Sequence, residues 1–73
     1  MAITAVFSVD EINAAAGNAR TVSLSAVEVG DGDNTSWSTD RFPAGELEMT
    51  VDQPKMLDFF QAGKTYRITI QAL

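Results

Sequence analysis

The sequence predicts a mainly all-β domain: a small antiparallel β-sandwich or partly open barrel of four to five short strands, with one short plug helix near 54–60. Three observations carry this. From Thr65 onward the chain alternates strictly, with Tyr66, Ile68, Ile70 and Ala72 on one side and Thr65, Arg67, Thr69 and Gln71 on the other, the period of a half-buried strand. Leu47, Met49 and Val51 alternate with Glu46, Glu48 and Thr50 in the same way. Glycine, proline, asparagine and aspartate cluster between such stretches, where turns need positive φ or side chains that bond their own backbone.

The first strand is read over Ile3 to Val9, where Ile3, Ala5, Phe7 and Val9 alternate with Thr4, Val6 and Ser8. Residues 10–19 follow, alanine-rich and ending near Gly17. Ile12 is the only large apolar side chain there, too little to anchor a long helix, so the expectation is a short helix or an irregular loop. Arg20 to Val29 resumes the strand pattern with Val22, Leu24 and Ala26 on one face. The parity then slips to Val27 and Val29, which calls either for a one-residue bulge near Ala26 or for a sheet end covered on both sides.

Gly30 to Ser36 is loop by composition. Trp37 to Phe42 reads as an edge strand or an extended connection into the Pro43-Ala44-Gly45 turn, and Glu46 to Val51 as a strand. Gln53-Pro54 has the form of a helix start with proline at the first position, and Met56, Phe59 and Phe60 share a face, which predicts the plug. Gly63 ends it. The expected inward set is Phe7, Val9, Val22, Leu24, Leu47, Met49 and Val51 from the earlier strands. Met56, Phe59, Phe60, Tyr66, Ile68 and Ile70 complete it from the second half, with the Tyr66 hydroxyl reaching a turn.

The 73 residues make one domain, 1–73, of a size whose core supplies only about 3–5 kcal/mol without further support. With no cysteine and no histidine, disulfides, thiolate metal sites and the commonest general base are excluded. Self-association remains as a source of stability. Ten acidic residues against five basic ones give a net charge of −5, and a field of that sign repels a phosphate backbone. No nucleic-acid partner is expected, and Arg20, Arg41 and Arg67 are scattered among acids rather than clustered. An inhibitor that mimics nucleic acid would rest on net charge alone, and those interspersed arginines argue against it. There is no basic segment followed by a long apolar one and no run of about 20 apolar residues, so neither a secretion signal nor a membrane partner is expected.

Catalytic and metal residues are expected to be none. Lys55 and Lys64 each sit beside a turn, with no serine at a catalytic spacing. Glu46 and Glu48 share an outward face at strand spacing, but a glycosidase pair needs a cleft that so short a chain has little material to build. Asp31-Gly32-Asp33-Asn34-Thr35 offers hard oxygen donors suited to calcium. The resemblance to a calcium loop fails at Ser36, where glycine is needed, and at Phe42, where the bidentate glutamate belongs. Trp37 is either a cap on the core or an anchor for a sugar or a partner protein.

Trp37, the stretch Phe42-Pro43-Ala44-Gly45-Glu46-Leu47-Glu48-Met49-Thr50-Val51 and the turn Phe60-Gln61-Ala62-Gly63-Lys64-Thr65-Tyr66 together resemble a group of small β-rich proteins of unknown function encoded by tailed bacteriophages. The resemblance covers the second half of the chain, and Asp52-Gln53-Pro54 departs from the Asn-Pro of that pattern. It implies phage origin, a place in the virion or the host cytoplasm, and a structural or assembly role. The expected function is that of a non-enzymatic structural or interaction protein without cofactor, partnered by copies of itself or by a phage structural protein. Its expected interaction surface is Trp37, Thr65, Arg67, Thr69 and Gln71. The alternative is a small module binding glycan or calcium through the 31–37 loop.

Overall fold

The computed structural model describes residues 2–28 and 34–73. Val29 and the acidic stretch with Asp31 and Asp33 lie outside the described residues. Four strands form: β1 (Ala2–Ala14), β2 (Arg20–Ala26), β3 (Glu46–Val51) and β4 (Thr65–Gln71). They make one antiparallel sheet in the spatial order β3-β2-β1-β4, curled into a half-barrel. That order is the one of a Greek key, in which the last strand returns to lie beside the first. Of the two architectures expected, the partly open barrel is the one adopted.

The inner face is built from cross-strand pairs of apolar residues. Val9 stands opposite Leu24, Ile12 opposite Val22, Leu24 opposite Leu47, Phe7 opposite Tyr66 and Ala5 opposite Ile68. Ala5, Phe7, Val9, Val22 and Leu24 are the buried centre, with Leu47, Val51, Phe60, Tyr66 and Ile68 packed around them. Central strands β1 and β2 supply every member of that centre, because the half-barrel covers them on both sides.

Several expectations are corrected. β1 does not stop at Val9: it continues to Ala14 through a bulge between Val9 and Glu11. Asp10 is the extra residue, and its carboxylate accepts a 3.0 Å hydrogen bond from the Ser25 hydroxyl. The bulge brings Ile12 onto the face of Phe7 and Val9. No bulge forms near Ala26: β2 ends there, and the Val27 N–H, past the strand, donates to the Val6 carbonyl at 3.1 Å. A tight turn replaces the expected helix or loop, closed by a bond from the Ala15 N–H to the Ala19 carbonyl, with Gly17 at φ 66°. Residues 37–42 form a connection without strand structure, the second of the two expectations for this stretch, and the described residues make four strands.

The plug is one 3-10 turn, Pro54–Met56, instead of a helix over 54–60. Gln53 provides no side-chain cap, and a single helical turn is unfavourable without packing to support it. The Tyr66 hydroxyl organises the rest, donating to the Phe59 carbonyl and accepting from the Gln61 N–H, both at 3.0 Å. Phe60 packs on the core, and Phe59 and Phe60 meet edge to face with centroids 5.0 Å apart. Met49, Met56, Phe59 and Ile70, expected inside, are 39%, 50%, 56% and 55% exposed. They lie along the margins of the open side, where no further strand of the described residues covers them.

Candidate interaction surface

β2 ends at Ala26, while β1 runs on toward Ala2, so the first residues of β1 lose their strand partner on that side. Side chains take its place. The Asn34 carboxamide pairs with Val6 as a peptide group would: its Oδ1 accepts from the Val6 N–H at 2.7 Å and its Nδ2 donates to the Val6 carbonyl at 3.0 Å. Two residues along, the Ser36 hydroxyl accepts from the Thr4 N–H at 3.1 Å and donates to the Thr4 carbonyl at 2.8 Å. The two-residue spacing matches because alternate residues of β1 face this edge.

Asn34 is fully buried, and its remaining capacity is also used. Nδ2 donates a second bond to the Val27 carbonyl, and Oδ1 accepts a second from the Trp37 indole N–H, both at 3.0 Å. A carboxamide has two donor hydrogens and two acceptor lone pairs, and all four are spent here. Nothing remains with which Asn34 could hold calcium or a sugar, which removes one member from the 31–37 ligand reading. Nothing in the sequence marks this residue among the other polar residues of the loop.

The same bond fixes Trp37. Its ring lies nearly parallel to Phe7, with centroids 6.4 Å apart and planes 17° apart. Gly45 passes close beneath: a Cβ there would stand 3.0 Å from Trp37 Cη2 and 3.3 Å from Phe7 Cζ. Trp37 is half-buried and caps the core at one end of the half-barrel, beside a small apolar hollow of ≈ 170 Å³ lined by Ile3, Ala5, Phe7, Gly45 and Ile70. At the other end Met49, Val51, Met56, Phe59 and Phe60 line a groove of ≈ 490 Å³.

Thr65, Arg67, Thr69 and Gln71 stand in one exposed row on β4, which is an edge strand. The Val9 N–H donates to the Lys64 carbonyl at 2.9 Å. By the alternation of an antiparallel ladder, the even-numbered residues of β4 therefore bond to β1. Thr65, Arg67, Thr69 and Gln71 turn their N–H and C=O groups off the sheet. The row thus joins outward side chains to unpaired backbone, while Trp37 lies away from it, against β1 and the 43–45 turn.

Glu46 and Glu48 are exposed on the other edge strand, and Lys55 and Lys64 are exposed in turns. No group of three or more metal-ligating side chains occurs among the described residues. Among the described residues, Arg20 and Asp58 form an ion pair at 3.9 Å, between exposed side chains, which contributes little. No protein-family model matches this chain, and neither does a curated protein or a solved structure. The fold and its surface are therefore the basis of the functional reading.

Proposed function

We propose that this chain is a non-enzymatic structural or interaction protein, a small building block that works by docking on other protein chains, itself included. The observation that carries the reading is the open half-barrel: its inner face continues without a break from the buried centre to exposed Ile3, Met49, Phe59 and Ile70. Large apolar side chains gathered along an open margin are a docking feature, whereas singly scattered ones need no explanation. Both outer strands also carry unpaired backbone, which makes strand addition available as a recognition mode.

The sequence resemblance makes a tailed-phage particle the assembly to examine first, and a virion or its host cytoplasm the place of action. The test is size-exclusion chromatography with light scattering, alone and after mixing with separated structural proteins of such a particle. A discrete oligomer or a defined complex is expected. A single chain at millimolar concentration that binds none of those proteins would overturn the proposal.

A further inference from the structure

The geometry points to a second copy of this chain as the occupant of the β4 edge, joined by antiparallel β4-to-β4 pairing about a two-fold axis at Ile68. This rests on the docking function proposed above and names its partner. In that register Thr65 pairs with Gln71 and Arg67 with Thr69 of the other copy, each pair exchanging its outward N–H and C=O groups. The two sheets become one.

Three features of the chain favour this arrangement. The first is charge. β4 carries Arg67 as its only charged residue, and the register places it opposite threonine, so no like charges meet. On β3 the Ala26 N–H donates to the Gly45 carbonyl, so the outward groups there belong to Glu46, Glu48 and Thr50. A self-pairing centred on β3 at Glu48 sets that carboxylate against itself, and one centred at Met49 sets Glu46 against Asp52. Pro43 and Pro54 also flank β3, whereas no proline borders β4. Charged residues and prolines are how edge strands are kept from pairing, and β4 has only Arg67 of that kind.

The second is the inner face. The same register puts Ile68 opposite Ile68 and Ile70 opposite Tyr66 of the other copy, which covers an isoleucine that is 55% exposed in the single chain. The third is area. The chain exposes 5371 Å², against about 4,400 Å² for a compact monomer of its mass. The excess is on the scale of the ~800 Å² that each partner loses in a standard interface. Its radius of gyration, 13.2 Å, likewise exceeds the roughly 11 Å expected for a compact chain of this length.

The experiment is sedimentation velocity over a concentration series, with Thr69→Pro and Thr50→Pro compared with the wild-type chain. Proline at residue 69 removes an outward N–H while leaving the ladder to β1 intact, and proline at residue 50 does the same on β3. The wild type and Thr50→Pro are expected at twice the 7.8 kDa chain mass. Thr69→Pro is expected to associate on the order of a hundredfold more weakly, since each copy contributes the change once. Amide hydrogen exchange on the wild type serves independently of any variant: protection of the Thr65, Arg67, Thr69 and Gln71 amides should appear on concentration and vanish on dilution. A single-chain mass throughout overturns the inference but leaves docking on a different protein open to the mixing experiment. A dimer broken by Thr50→Pro and not by Thr69→Pro, or one without that exchange pattern, also overturns it.

Discussion

Replacing Asn34 by alanine is expected to destabilise the fold by about 3–5 kcal/mol, enough to leave much of the population unfolded. The variant takes away the acceptor for the Val6 N–H and the Trp37 indole N–H, and the donor for the Val27 carbonyl. The Val6 carbonyl keeps one partner, the Val27 N–H at 3.1 Å. Unmade bonds at buried groups carry the full cost of removing those groups from water, far more than the net worth of a bond made. Asn34→Asp separates chemistry from shape. It is nearly isosteric, but it exchanges the donor for a carboxylate oxygen aimed at the Val6 and Val27 carbonyls. Both variants should lose stability in urea denaturation followed by tryptophan fluorescence. Wild-type stability in Asn34→Asp would show that filling the space suffices and that the hydrogen bonds do not hold the loop.

Leu24→Ala is expected to cost about 2–5 kcal/mol. Leu24 is 1% exposed at the centre of β2, between Val9 on one side and Leu47 on the other. Truncation there removes contacts to both neighbouring strands and leaves a cavity that a curled sheet cannot close without moving its strands. Met49→Ala, on the adjoining strand but 39% exposed, should cost clearly less. Chemical denaturation of the pair checks the gradient from centre to margin. Equal losses at the two positions would mean that the margin is as tightly packed as the centre.

These contrasts show which parts of the fold are written in local pattern. β3 and β4 were legible because their alternation is unbroken and their ends are marked by Pro43-Ala44-Gly45 and Gly63. The continuation of β1 was not: alanine-rich composition fits a helical turn equally well, and only pairing with β2 decides for a strand with a bulge at Asp10. The helix expected at 54–60 had the right apolar spacing, but its organising contact is a tertiary one, the Tyr66 hydroxyl on the 59–61 turn. The burial of Val6 and of Asn34 was equally hidden, because neither follows from the period of its own segment.

The interaction surface divides in the same way. The row from Thr65 to Gln71 could be placed on an outward face from parity alone. That it also carries the unpaired backbone depends on β4 being an edge strand, which is a matter of sheet order. The sequence leaves Trp37 as either an anchor or a cap, and its stacking on Phe7 and bond to Asn34 give it the geometry of a cap.

The central claim is that the β4 edge is covered by a second copy of the chain, and the dependence of the melting temperature on protein concentration tests it most directly. If folding and pairing are coupled, a hundredfold increase in concentration should raise the melting temperature by about 5–10 °C. A melting temperature that stays constant across that range, with a single-chain mass at its upper end, would contradict it.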